Sequence, residues 1–216
     1  MPAVAGALLA GGRSQRFRGD KLRLRLPGED RDLAVRAAAS LRDSGVSPCW
    51  WLATEEPVLL PPSFSLLIDA GEGPKAALAA ALAAAVQAGV EAVLLVAADL
   101  PLIRARHLGR LLHAWQSSAE REMPLCAADA DGKAQPVCAI YPAAMLALVE
   151  QQLAEGDRAL FSLLEQGQNS VSAPPEVTVP VTDAEGGRDT IHPCFNLNQV
   201  QDWEQLLEWS KEGKLS

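Results

Sequence analysis

The chain has 216 residues and a net charge of −8, with 49% hydrophobic and 21% charged side chains. A chain of this length buries roughly 70% of its unfolded surface, so one domain with its own core is expected over residues 1–216 and a disordered chain is excluded. No apolar run reaches the ~18 residues of a membrane span and the N-terminus lacks a basic leader, so a cytoplasmic protein without a membrane partner is expected. The acidic balance argues against nucleic acid as a partner.

In chain order, short apolar runs alternate with amphipathic stretches, the rhythm of βαβ units. Val4 to Ala10 reads as a first strand, ended by Gly11-Gly12. Asp32 to Ser44 reads as a helix with Leu33, Ala34, Ala37, Ala38 and Leu41 on its inner face. Pro48 to Ala53 and Phe64 to Asp69 are strands. Gly73-Pro74 opens an alanine-rich helix through Ala88, for which composition is strongly favourable, and Gly89 ends it. Ala92 to Ala98 is a continuous apolar run, as in a strand covered on both faces. Pro101 to Trp115 predicts a helix with Leu108, Leu111, Leu112 and Trp115 inward. A strand (Pro136 to Tyr141), a helix (Pro142 to Gln152) and a shorter helix (Ala159 to Gln166) follow. Residues 167–190 read as loop plus an edge strand, and Asn196 to Asn198 leads into a last helix, Gln201 to Trp209. The predicted fold is α/β: a doubly wound, mostly parallel sheet flanked by helices, with ligands at the carboxyl ends of its strands.

Charge is unevenly spread. Residues 1–36 carry eight basic side chains against four acidic ones, leaving −12 on the remainder. Such a cluster on an acidic protein suits a small anionic ligand, or is simply a solvated face. It coincides with the loop after the first strand, Gly11-Gly12-Arg13-Ser14-Gln15-Arg16-Phe17-Arg18-Gly19-Asp20-Lys21. Neither G-x-x-x-x-G-K-[ST] nor G-x-G-x-x-G fits it. Paired glycines let backbone N–H groups approach phosphate while Arg16 and Lys21 supply countercharge; a tight turn with exposed basic residues is the alternative. Arg23 and Arg25 alternate with Leu22, Leu24 and Leu26 and should face solvent. Cys49, Cys126, Cys138 and Cys194 show no metal-ligand spacing and read as small core residues.

The sequence Leu8-Leu9-Ala10-Gly11-Gly12-x-Ser14-x-Arg16-Phe17-x-Gly19-Asp20-Lys21 resembles the L-A-G-G-x-S-x-R-[MF]-G-x-D-K signature of the MobA-type molybdenum cofactor guanylyltransferases, members of the nucleotidyltransferase superfamily. Gly73-Pro74, Ala98-Asp99-Leu100-Pro101, Gln135-Pro136-Val137 and Phe195-Asn196-Leu197-Asn198 resemble later family segments in the same order. Arg18 stands where the family usually has glycine, Lys75 and Ala77 replace Leu and Gly near the expected base site, and Gln199-Val200-Gln201 replaces Thr-Pro-Glu.

The resemblance implies a Rossmann-like fold and transfer of GMP from GTP to the phosphate of molybdopterin (molybdenum cofactor), with release of pyrophosphate. It implies Mg²⁺ as cofactor and molybdoenzyme-maturation proteins as downstream partners. By the same resemblance Arg16, Lys21 and Asp99 are catalytic, and Asp99 is the metal ligand. Leu9, Ala10, Gly11, Gly12, Ser14, Lys21, Asp69, Gly73 and Asp99 bind nucleotide, while Asn196 and Asn198 bind the acceptor. Read without it, Asp99 either caps a helix starting near Pro101 or holds a cation, and Asp69 is a turn residue or a nucleotide contact. Asn196 and Asn198 share one face of an extended segment, or one of them caps the last helix; Gly156-Asp157-Arg158 resembles a family loop on the acceptor side, or Asp157 caps the helix that follows. The rival readings are a relative using CTP or a sugar phosphate, and a binding homologue without turnover. Gly11 and Asp20 favour GTP, because cytidylyl relatives usually read L-A-A-G and lack the Asp.

Overall fold

The computed structural model describes residues 3–11, 21–57, 60–69, 71–129, 131–165, 178–180, 192–212 and 214. The strands are β1 (Val4–Leu9), β2 (Cys49–Ala53), β3 (Ser65–Ile68), β4 (Ala92–Ala97), β5 (Leu125–Ala128), β6 (Ala134–Pro142) and β7 (Thr178–Pro180). The α-helices are α1 (Leu33–Asp43), α2 (Pro74–Ala88), α3 (Ala105–Ser117), α4 (Leu146–Ala154), α5 (Phe161–Glu165) and α6 (Val200–Lys211). The strands form one sheet in the order β3-β2-β1-β4-β6-β5-β7. β1 pairs parallel with β2 and β4, β2 with β3, and β5 with β7, whereas β6 runs antiparallel to both β4 and β5. The sheet is therefore mixed and mostly parallel, Rossmann-like and doubly wound.

Strand alternation sends successive side chains into two separate cores. Leu94 and Val96 of β4 pack with Ala37 and Leu41 of α1 and Leu108, Leu111 and Trp115 of α3. Val93 and Leu95 pack on the opposite face with Leu78 and Leu82 of α2, Val149 of α4 and Leu163 of α5. All six residues of β4 are buried, as its uninterrupted apolar run requires. α1 buries the five residues expected of it, and Leu112 of α3 is only half-buried. Gly6 lets α1 sit close on β1, since a Cβ there would lie 2.7 Å from Val46 Cγ2 and 2.9 Å from Leu41 Cγ.

Several boundaries differ from expectation. α3 starts at Ala105, four residues beyond the predicted Pro101, because Asp99 to Arg104 forms turns. The helix expected from Pro142 opens as a 3₁₀ turn (Ala143–Met145) before α4. β5 was not expected; Leu-Cys-Ala-Ala lacks β-branched residues, and the strand exists because β6 offers it an antiparallel partner. β7 is the edge strand anticipated in residues 167–190, most of which lie outside the described residues. Among the described residues no helix is long and apolar enough to cross a membrane.

The chain passes from β1 to β2 and β3 on one side, then returns through α2 to β4 on the other side of β1. Beyond the carboxyl ends of β1 and β4, where the direction of winding reverses, the connecting loops part and leave a crevice.

Candidate active site

A cleft of about 320 Å³ lies at this crevice. Leu9 and Gly11 leave β1, Thr54 leaves β2, Asp69 leaves β3 and Ala97 and Asp99 leave β4, all on the cleft wall. Gly71, Gly73, Pro74 and Ala77 complete one side of it, and Lys21, Leu22, Val137 and Asn196 the other.

Its charged centre is Lys21. The ammonium donates to Asp99 Oδ2 at 2.6 Å and to the Leu197 carbonyl at 3.0 Å. Leu197 N–H in turn donates to the Asp99 carbonyl at 3.1 Å. Three distant stretches of chain are thus tied at one point, with both charged side chains about one-fifth exposed (18% and 19%). Asp99 does not cap the following helix, whose N-cap is Arg104. The capping alternative is thereby removed, and the Asp99 carboxylate is left facing the cleft and the ammonium.

Asp69 is nearly buried at 9% exposure. Its N–H donates to Ala53 O at 3.0 Å and its Oδ1 accepts from Gly71 N–H at 2.7 Å, so it is a turn residue and also part of the cleft wall. Gly11 passes close by: a Cβ there would stand 3.3 Å from Ala53 Cα and 3.5 Å from Asp69 Oδ2. Gly73, the N-cap of α2, has φ +100°, which side-chain-bearing residues rarely adopt.

Asn196 lines the cleft, and its side-chain oxygen is buried with no hydrogen-bond partner among the described residues. A buried acceptor left unpaired is costly, so this oxygen is a natural point for a ligand donor. Asn198 is different. It is exposed and outside the cleft, and its N–H donates to Asp202 Oδ2 at 2.7 Å. Neither asparagine caps α6; that role falls to Gln199.

Of the sequence-predicted residues, the fold therefore gathers Leu9, Gly11, Lys21, Asp69, Gly73, Asp99 and Asn196. Ala10 sits beside them without lining the cleft; it packs on the α1–α3 side of the sheet. Gly12, Ser14 and Arg16 lie outside the described residues. Ala77, expected near the base site, lines the cleft; Leu22, Thr54, Gly71, Pro74, Ala97 and Val137 were not anticipated as site residues. Thr54 and Ala97 stand at the carboxyl ends of β2 and β4, the two parallel strands that flank β1, a signal the rule of carboxyl-end binding could have supplied.

Lys75 corrects an expectation. It is absent from the cleft and fully buried on the other side of α2, where its ammonium donates to Gln152 Oε1 at 2.6 Å and Ser162 Oγ at 2.8 Å and pairs with Asp157 Oδ2 at 2.8 Å. Asp157 Oδ1 also accepts from Ala159 N–H at 2.9 Å. The hydrogen bond from Lys75, followed by those from Ser162 and Ala159, holds the Asp157 carboxyl down at about 2. The cysteines are all buried and unbridged, as expected. Cys194 nonetheless departs from an inert thiol: its hydrogen bond with Cys138, aided by His192, lowers it to about 6 despite burial.

A mostly parallel sheet with a cleft and a partly buried Lys–Asp pair at its switch point defines a doubly wound α/β ligand-binding fold. Residues 6–171 match the family described as the MobA-like NTP transferase domain. A probable molybdenum cofactor guanylyltransferase of Opitutus terrae is 37% identical over 180 residues, covering 81% of this chain and 86% of that one. Among solved structures, molybdopterin-guanine dinucleotide biosynthesis protein A of Archaeoglobus fulgidus superposes with TM-score 0.66 at 18% identity, covering 96% of this chain and 99% of that one. A Mycobacterium tuberculosis protein in complex with manganese superposes with TM-score 0.67 at 15% identity, covering 95% and 98%. The chain belongs to the MobA-like NTP transferase family.

Proposed function

We propose that this chain, as one nucleotidyltransferase domain acting in the cytoplasm, transfers GMP from GTP to the terminal phosphate of molybdopterin-type cofactor and releases pyrophosphate. The observation that carries the reading is the meeting of Lys21, Asp99 and Leu197 at the β1–β4 crevice, within a chain whose curated relative is named for this activity.

The donor set suits a hard cation. Among the described residues no group of three His, Cys, Asp or Glu side chains could cage a metal. Mg²⁺ does not need one, because it takes one or two carboxylates and completes its shell with phosphate oxygens and water. Asp99 would hold it. Bound there, the ion would draw charge from the phosphates and orient them for in-line attack. Lys21, joined by Arg16, would neutralise the triphosphate and the leaving pyrophosphate through charge-assisted hydrogen bonds. Gly11, Gly12 and Ser14 would cradle phosphate oxygens, with Gly11 giving the backbone its close approach. Asp69 and the Gly73–Ala77 wall would flank the nucleoside, and the Asn196 oxygen would accept from the acceptor end; Asn198, being exposed, is left to the rim. Most of the rate would come from positioning and preorganised charge, as little covalent work falls to the protein.

The test is pyrophosphate release with GTP, CTP, ATP and UTP in turn, in the presence of Mg²⁺ and molybdenum cofactor. Turnover with GTP alone is expected, since polar groups set for the guanine edge are left unpaired by the other bases. Preferential turnover with CTP would overturn the guanylyl assignment, and nucleotide binding without turnover would make the chain a binding homologue.

A further inference from the structure

Lys75 has no exposed surface, yet it follows Gly73 and Pro74 of the cleft wall by only one or two residues. An ammonium has three donors, and here three acceptors meet it, from α4 (Gln152), α5 (Ser162) and the loop between them (Asp157). A second ion pair lies alongside with its charges reversed. Arg158 Nη2 stands 2.9 Å from Glu72 Oε2, while Arg158 Nη1 donates to Leu153 O at 2.6 Å. Two stretches of chain are therefore cross-stitched: Glu72 and Lys75 on one, Arg158 and Asp157 on the other. The first of these is the cleft wall itself.

That wall needs outside support. Gly71 at φ +71° and Gly73 at φ +100° both use glycine-permissive backbone, so the stretch has little stiffness of its own. A buried ion pair is weak evidence for stability, since an apolar residue of similar volume often serves as well. What directional bonds to three elements supply is a fixed position for the first turn of α2.

We infer that Lys75 and Asp157 are positioning residues of the nucleotide site: their bridge, seconded by Glu72–Arg158, clamps the Gly71–Ala77 wall to the 156–158 loop and sets where the wall stands against the nucleotide. The inference rests on the cleft being the nucleotide site. Displacement of the 156–158 loop must then shift the wall with it.

The experiment uses the full chain with Lys75→Met, Asp157→Asn and the double variant, compared by hydrogen exchange of the 71–77 amides without nucleotide and by KM and kcat for GTP. Each single variant is expected to speed exchange across 71–77 and to raise KM about tenfold, with kcat changed far less. The double variant should resemble the singles rather than multiply them, because all three remove one bridge. Arg158→Gln removes the exposed pair with Glu72 and the bond to the Leu153 carbonyl but leaves the Lys75 bridge in place, so it should produce the same pattern more weakly should the core variants fold poorly. Unaltered exchange and KM in folded Lys75→Met, or a fall in thermal midpoint with no change in either, would overturn the inference. If the unmodified chain binds no GTP, the site reading fails instead, and the exchange arm still decides whether the clamp holds the wall.

Discussion

Replacing Asp99 by Asn keeps the shape of the side chain and removes its charge. At 2.6 Å the Lys21–Asp99 pair has a gross attraction of about 6 kcal/mol at an effective dielectric near 20. Desolvation offsets most of that, and the amide oxygen of Asn can still accept from Lys21, so the net loss of stability should be about 1–3 kcal/mol. The Leu197 N–H bond to the residue 99 carbonyl is backbone and survives. For a chain of this length such a loss lowers the midpoint of thermal unfolding by roughly 2–10 °C, leaving the variant folded at 25 °C. Turnover should suffer far more, because a group aimed at developing phosphate charge commonly contributes about 10²–10³ in rate. The assay is initial-rate pyrophosphate release with GTP and molybdenum cofactor across an Mg²⁺ titration, alongside a circular-dichroism melt. Near-normal turnover at saturating Mg²⁺ would refute the metal and charge role of Asp99. So would a loss of activity that merely follows the unfolding curve.

Lys21→Ala should slow turnover about ten- to hundredfold, the worth of one charge-assisted contact, whereas Arg23→Ala and Arg25→Ala should fall within about twofold. Both arginines are exposed and Arg25 is engaged with Asp32, so equal effects at all three positions in steady-state kinetics would dissolve the distinction. Gly73→Ala meets no atom within 4 Å, so its cost is backbone strain of about 1–3 kcal/mol; a raised KM for GTP is expected, and an unchanged one would separate the α2 cap from the site. The Asp157 carboxyl, held at about 2 against an ordinary 3.8, contributes stability that is complete above the ordinary value and lost as pH falls from 4 towards 2. The melting advantage of the wild-type chain over Asp157→Asn should therefore shrink across that window, and a constant gap in a pH series of melts would contradict the bridge.

Much of this protein was written locally. The Val4 strand, the inner face of α1, the doubly covered β4 and the alanine-rich α2 follow from apolar spacing and composition, which act over a few neighbouring residues. The loop wording around Gly11 and Lys21, with Asp99, located the crevice because parallel strands place their carboxyl ends together. What sequence spacing could not decide depended on partners far along the chain. A cap stayed open as the alternative reading of Asp99, and it falls because α3 begins only at Ala105 with Arg104 as its N-cap. Asn196 and Asn198 look equivalent across Leu197, but the backbone pairing of Leu197 with Asp99 and Lys21 seats the first in the cleft while the second is exposed. β5 has weak propensity and exists through its pairing with β6. Lys75, beside a glycine-proline turn in a helix of alanines, is placed by resemblance near the base site. Only the approach of Gln152, Asp157 and Ser162, some 77 to 87 residues later, makes a buried ammonium tolerable there, because the cost of desolvating it is met by acceptors that no local pattern announces.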